Sequence, residues 1–117
     1  MKTVVNTNKS LVISASAGTG KTWVIIARLI NLLFKNVELS KITVLTFTND
    51  AVQEIRDRFI KELKKYSKSS NTQLENMLRE IGINPNLKNI NKAKNLLFNY
   101  LIEKDEVRIC TFHSFFS

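Results

Sequence analysis

The chain has 117 residues, enough for one small domain with a real core. It is 44% hydrophobic and 24% charged, an ordinary balance for a globular fold, and carries a formal charge of +8. That charge suits an anionic partner such as nucleic acid, nucleotide or a membrane surface, although solubilising lysines account for it equally well. The single cysteine, Cys110, excludes an internal disulfide and fits a reducing cytoplasm. The longest apolar run, "WVIIARLINLLF", carries Arg28 and is too short to span a bilayer, and "MKTVVNTNKS" lacks the apolar run of a secretory leader. A cytoplasmic location is therefore the expectation.

In chain order, "SLVIS" at 10–14 reads as a short buried parallel strand. A Gly-containing loop follows, then a helix from 21 to about 35 that is apolar around most of its circumference. Asn36 is placed to end that helix in a left-handed conformation. "ITVLTF" at 42–47 predicts a second buried strand, with Thr48 or Asn49 capping the next helix. In that helix Val52, Ile55, Phe59 and Leu63 recur at helical spacing, while Arg56, Lys61, Lys64 and Lys65 mark its exposed sides. Glu54 with Arg58, and Asp57 with Lys61, have the spacing of favourable helical ion pairs.

"KKYSKSSNT" at 64–72 reads as a polar loop, and 73–81 as a short helix ended by Gly82. "NPNLKN" reads as a turn, 91–104 as a helix, and Val107–Thr111 as the last strand. The order β-α-β-α-α-α-β implies a parallel sheet of about three strands with right-handed crossovers and two open edges.

The loop "ASAGTGKT" nearly fits the phosphate-binding pattern G-x-x-x-x-G-K-[ST], with Ala15 at the first glycine. The chemistry tolerates that change. Backbone N–H groups from Ala17 to Thr22 do the holding, and Ala15 need only be small where the strand leaves the sheet. Gly18 and Gly20 allow the backbone to approach the anion. Ala15, Ser16, Ala17, Gly18, Thr19, Gly20, Lys21 and Thr22 are therefore the candidate nucleotide site. Lys21 would contact the β- and γ-phosphates, and Thr22 a Mg²⁺ ion. The helix beginning there adds its positive dipole end.

Ligands of such sheets bind beyond the carboxyl ends of the strands. Thr46, Phe47, Thr48 and Asn49 stand at one such end, and Thr111, His113, Ser114 and Phe115 at another. Short hydroxyl and amide donors suit phosphate oxygens, and aromatic faces suit unstacked bases. The competing reading makes Thr48 and Asn49 a helix cap, the phenylalanines core, and Trp23 and Cys110 structural. No spacing suggests a catalytic triad or a metal cluster.

Taken in order, "ASAGTGKT", "VLTFTNDAVQEIRDR" and "VRICTFHSFFS" resemble motifs I, Ia and Ib of UvrD-like superfamily 1 helicases. The phrase "SASAGTGKT" is most similar to the RecB and AddA branch, helicase subunits of bacterial double-strand-break repair nucleases, in which alanine at position 15 is usual. The resemblance covers almost the whole chain. It implies the N-terminal part of a RecA-like P-loop domain, ATP and Mg²⁺ as cofactors, and single-stranded DNA as a partner. It also implies the rest of a helicase, or a partner nuclease, as a further partner.

Several positions depart from the family. Residues 1–9 contain no glutamine for the adenine-recognition segment, Val52 is bulkier than usual, Phe112 replaces a common isoleucine, and Phe116 stands where cysteine is frequent. The family's acidic Walker B motif and second RecA-like domain lie downstream of motif Ib. Asp105-Glu106 precedes its strand rather than following it, so no catalytic residue is assigned within the chain. The resemblance thus predicts nucleotide binding without useful turnover. The alternatives are a non-catalytic basic nucleic-acid-binding remnant of a split helicase gene, and, less compatible with the arginine distribution, a small P-loop kinase.

Overall fold

The computed structural model describes residues 2–5, 11–14 and 21–116. The loop residues 15–20 lie outside the described residues, and Lys21 enters by its backbone alone. The elements are β1 (Lys2–Val5), β2 (Leu11–Ser14), α1 (Lys21–Phe34), a 3-10 turn (Leu39–Lys41), β3 (Ile42–Thr46), α2 (Asn49–Lys68), α3 (Asn71–Glu80), α4 (Leu87–Lys94), α5 (Leu96–Ile102), β4 (Arg108–Thr111) and α6 (Phe112–Phe116).

The fold is α/β. β2, β3 and β4 are parallel neighbours, as the alternation of strands and helices predicts. Among the described residues a fourth strand extends the expected three: β1 pairs antiparallel with β2, from Lys2 opposite Ser14 to Val5 opposite Leu11, so β1 and β4 are the sheet's two edges. The order β1-β2-β3-β4 advances in one direction. Right-handed crossovers then place α1 and α2 on the same side of the sheet, and the two helices do pack together.

The core lies between sheet and helices. Ile13, Val44 and Ile109 align across three strands and are all buried, with Ile42 in the next row. On the opposite face the row Val12, Thr43 and Arg108 is half-buried to exposed at its outer members. α2 is the central helix. Its stripe Ile55, Phe59, Leu63 and Tyr66 is buried, and Phe59 meets Tyr100 of α5 edge-to-face at 5.1 Å.

Two helix ends follow the sequence signals. Asn36 has φ 58°, and Val37 N–H donates to Leu32 C=O at 3.4 Å, closing α1. Gly82 has φ 78°, with Ile83 N–H to Leu78 C=O at 2.9 Å and Gly82 N–H to Arg79 C=O at 3.1 Å. That double bond is a Schellman closure, and Leu78 and Ile83 are both buried beside it. Asn31 Nδ2, on buried α1, donates to Ile81 C=O at 2.7 Å and ties this end to the core.

Other boundaries differ from expectation. The polar stretch after Lys64 stays helical to Lys68 because Tyr66 continues the buried stripe. Ser70 then opens α3 with a capping box: Gln73 N–H donates to Ser70 Oγ at 3.3 Å, and Ser70 N–H to Gln73 Oε1 at 2.9 Å. The expected turn 84–89 already contains the start of α4, capped by Asn86 through Asn89 N–H at 2.8 Å. The expected helix 91–104 is two helices, broken at Asn95. Glu54 and Arg58 do pair, at 3.4 Å. Asp57 instead accepts from Gln53 Nε2 at 2.8 Å.

Candidate nucleotide and nucleic-acid site

The parallel register brings the C-terminal ends of β2, β3 and β4 into line: Ser14 lies beside Leu45, Leu45 beside Cys110, and Thr46 beside Thr111. The two sequence-predicted sites therefore share one edge of the sheet. β2 runs into the loop 15–20, and α1 leaves it at Lys21. Fourteen residues of α1 follow with no carboxylate in the first turn, so nothing acidic there offsets the positive end of the helix dipole. That is the environment a bound phosphate needs, and Thr22 sits half-buried in the same turn. The candidate residues Ala15, Ser16, Ala17, Gly18, Thr19 and Gly20 lie outside the described residues. Trp23 is 52% exposed, which corrects its assignment as a structural residue: it stands in the first turn of α1 and is not core.

Beside this edge, β3 and β4 end differently from one another. Thr46 is buried, Phe47 is 62% exposed, and Thr48 caps α2, its Oγ1 accepting from Ala51 N–H at 3.1 Å. Thr48 rather than Asn49 is thus the cap, and Asn49 is the first helical residue, exposed. At the end of β4, Thr111 is buried and organises the turn into α6. Its Oγ1 accepts from Ser114 N–H at 3.1 Å and donates to Ser114 Oγ at 3.0 Å. His113 is exposed.

The phenylalanines form a strip that joins the two strand ends. Phe47 stacks on Phe112 at 4.8 Å and 30°, Phe112 faces Phe116 at 6.5 Å and 12°, and Phe116 meets Phe115 edge-on at 5.0 Å. The Arg108 guanidinium lies 5.3 Å from the Phe115 ring centre. Phe116 is 73% exposed, so the strip is not a core cluster. The sequence weighs all the phenylalanines of "TFHSFFS", but only Phe47 and Phe115 enter the candidate site from it; Phe112, Phe116 and Arg108 join them in the structure. The signal was available at Phe112, where an aromatic replaces the usual aliphatic residue, because a flat ring can stack on Phe47.

The strip is held from behind. Arg56, expected on an exposed face of α2, is half-buried, and its Nη2 donates to Ile109 C=O at 3.2 Å. This bond fixes α2, which carries Asn49 at its start and Thr48 as its cap, against β4, which leads into the other strip residues. Asp105 and Glu106 lie before β4 and are exposed. β4 parallels β2, so this acidic pair sits at the end of the sheet remote from the loop.

Comparison with known proteins agrees with the motif order. An ATP-dependent helicase/nuclease subunit of Streptococcus pneumoniae is 33% identical over 88 residues, which is 74% of this chain and 7% of that protein. One from Ligilactobacillus salivarius is 34% identical over 74 residues, 63% of this chain and 6% of that protein. The exonuclease/helicase subunit RexA of Lactococcus lactis subsp. cremoris is 34% identical over 70 residues, 60% of this chain and 6% of that protein. The chain therefore spans less than a tenth of the length of these curated relatives. No solved structure matches it. A strand before "ASAGTGKT", a helix capped within "TFTN" and a helical turn from Phe112 occur in one α/β fold, and the UvrD/REP helicase N-terminal domain family matches all of residues 1–117, so the chain belongs to that family.

Proposed function

We propose that this chain is the ATP-binding and single-strand-contacting part of a DNA helicase subunit in double-strand-break repair, of the RecB and AddA branch. The observation that carries the reading is the shared sheet edge: the loop that would hold nucleotide and the aromatic strip Phe47–Phe112–Phe116 lie at the ends of neighbouring parallel strands. In this reading Ala15 to Thr22 form a RecA-like P-loop. Backbone N–H groups of the loop hold the phosphates, Lys21 offsets their charge, and Thr22 offers a hydroxyl to Mg²⁺, which when bound neutralises charge on the β- and γ-phosphates.

The strip takes unstacked bases on its rings, while Thr48, Asn49, His113 and Ser114 offer polar groups to the sugar-phosphate chain. Thr46 and Thr111, both buried, set the positions of these groups from beneath. α2 and its Arg56 link the two strand ends, so a shift at one is felt at the other. The same geometry argues against turnover by these 117 residues alone. Asp105 and Glu106 are at the wrong end of the sheet to act on a phosphate, so the chain holds nucleotide without hydrolysing it at a helicase's rate. The cytoplasm is the proposed location, and the rest of a helicase or a partner nuclease the proposed partner. No described helix is long and apolar enough to cross a membrane.

Trp23 is the only tryptophan and lies within one turn of Lys21, so its fluorescence reports nucleotide binding directly. MgATP is expected to change that signal saturably with no phosphate release, and Lys21→Ala to abolish the change. An oligothymidylate should bind with an affinity that falls with salt. Phe47→Ala should weaken it by roughly tenfold, as expected for one lost base stack. Turnover at the rate of an intact helicase would overturn the non-catalytic reading. DNA binding indifferent to Phe47, in a chain that ignores ATP, would instead favour a basic remnant whose lysines bind nucleic acid without these sites.

A further inference from the structure

The apolar stripe of α2, Ile55, Phe59, Leu63 and Tyr66, faces the core, and the opposite face of the helix carries Lys61, Lys64, Lys65 and Lys68. Their spacing of i, i+3, i+4 and i+7 puts all four on one side, and all four are exposed. They form a ridge about 10 Å long.

The carboxylates around this ridge leave its charge standing. Glu54 pairs with Arg58 at 3.4 Å, and Asp57 accepts from Gln53 Nε2 at 2.8 Å. Between Lys61 and Lys68 the one acidic residue is Glu62, which is half-buried. With Glu80 of α3 it lines a groove on one flank, beside Lys65 and Trp23. Neither glutamate reaches a lysine: the ion pairs among the described residues are Glu54–Arg58 and Glu38–Lys41. Glu103, Asp105 and Glu106, with Lys104 among them, follow α5, which meets α2 at Phe59 on its buried side. Four free amines thus stand against two flanking carboxylates.

We propose that this ridge binds the phosphates of a nucleic-acid duplex. From Lys61 to Lys68 the exposed residues are the four lysines and Ser67. The ridge itself offers no ring to an unstacked base, whereas a duplex stacks its bases internally and presents phosphate. Along about 10 Å of its axis a duplex carries about six phosphates, enough for four amines. The ridge also has no apolar side chain to enter a bilayer or to anchor a folded protein, which disfavours a membrane or an acidic polypeptide as its partner. Contacts of this kind respond to charge and not to base sequence. α2 begins at Asn49, beside the aromatic strip, about 18 Å along the helix from Lys61. One molecule can therefore hold a duplex on the ridge while a single-stranded extension lies on the strip. That pairing rests on the strip reading above; the duplex contact does not.

The test measures binding of the full chain to a blunt duplex of about two helical turns, by fluorescence anisotropy across a salt series. Affinity should fall with salt and be the same for duplexes of unrelated sequence. Replacing Lys61, Lys64, Lys65 and Lys68 together by glutamine should reduce the log–log salt slope by about four. The affinity gap between parent and variant should then shrink about a hundredfold between about 50 and 200 mM salt. Lys61→Gln with Lys64→Gln keeps the two lysines of the last turn, which favour the helix end, and should reduce the slope by about two. Replacing Lys35, Lys88, Lys94 and Lys104, exposed lysines outside α2, makes the same change in net charge and should leave the slope within about one of the parent's. Phe47→Ala should leave duplex binding unchanged. The proposal is overturned if the duplex does not bind, if the ridge variant keeps the parent's slope, if the two four-lysine variants lose equally, or if Phe47→Ala abolishes duplex binding. It is equally overturned if an oligothymidylate, polyglutamate or anionic vesicles bind the ridge as tightly as the duplex, read from the NMR signals of its lysines.

Discussion

Tyr66 illustrates how a residue with no legible role becomes a determinant of the fold. It is 2% exposed at the end of the buried stripe of α2, and burial, reinforced by the charges of Glu62 and Glu80, pushes its hydroxyl well above the ordinary tyrosine value of 10.0. Tyr100 is raised too, first by burial, with its bond to Val107 N–H acting against the shift. The folded state thus keeps protons that the unfolded chain gives up, so stability falls as pH rises above the unfolded value. The urea midpoint should hold steady between about pH 7 and 9 and decline above about 10. Tyr66→Phe should remove most of that decline; an equally steep decline in the variant would show that other groups cause it. Lys92, lowered by burial and then by Lys88, acts in the opposite sense. Its shift favours the fold as pH rises, because the unfolded chain then holds the extra proton.

At the scale of elements, capping decides where the helices of the middle segment begin. α2 and α3 abut at Ser69 and Ser70, and the chain turns there because Ser70 satisfies Gln73 N–H while Gln73 satisfies Ser70 N–H. Ser70→Ala leaves both helices their apolar stripes but removes the cap. It should cost about 1 kcal/mol in denaturant unfolding. A cost near zero would mean that burial of Leu74 and Leu78 alone sets the boundary. The break at Asn95 has a different origin. Ile90 and Ala93 of α4 and Leu96 of α5 are all buried, so two short helices can each face the core where one straight helix would turn residues away.

The whole molecule rests on a sheet whose first strand the apolar pattern does not announce. β1 satisfies the backbone edge of β2, the strand that precedes "ASAGTGKT". Removing residues 1–5 should therefore leave β2 as an open edge and promote self-association, measurable by light scattering at rising protein concentration. A monomeric truncated chain of unchanged stability would show that β1 is dispensable to the sheet. The distribution of charge also emerges only at this scale. The loop-side end of the sheet has an uncompensated helix dipole and Arg108 beside its aromatic strip, while the opposite end mixes Glu103, Asp105 and Glu106 with Lys104, and Glu38 with Lys41 at 3.9 Å. One small domain therefore offers two faces of different chemistry.

Much was legible in the chain itself. Strands at Leu11–Ser14 and Ile42–Thr46, the left-handed stop at Asn36 and the closure at Gly82 all depend on contiguous residues, so local chemistry suffices to read them. The order of three motifs was likewise enough to indicate the family. What depended on distant partners was not legible. Tyr66 keeps a polar stretch helical because of what it is buried against, and Arg56 turns inward to a carbonyl 53 residues away. Phe112 stacks on Phe47, and β1 is a strand because β2 needs an edge partner. The sequence by itself determined the strand ends and their residue types, because each is a local pattern. Only the tertiary structure decided which of those ends meet, which rings stack and which carboxylates stand apart, because those are properties of register and crossover.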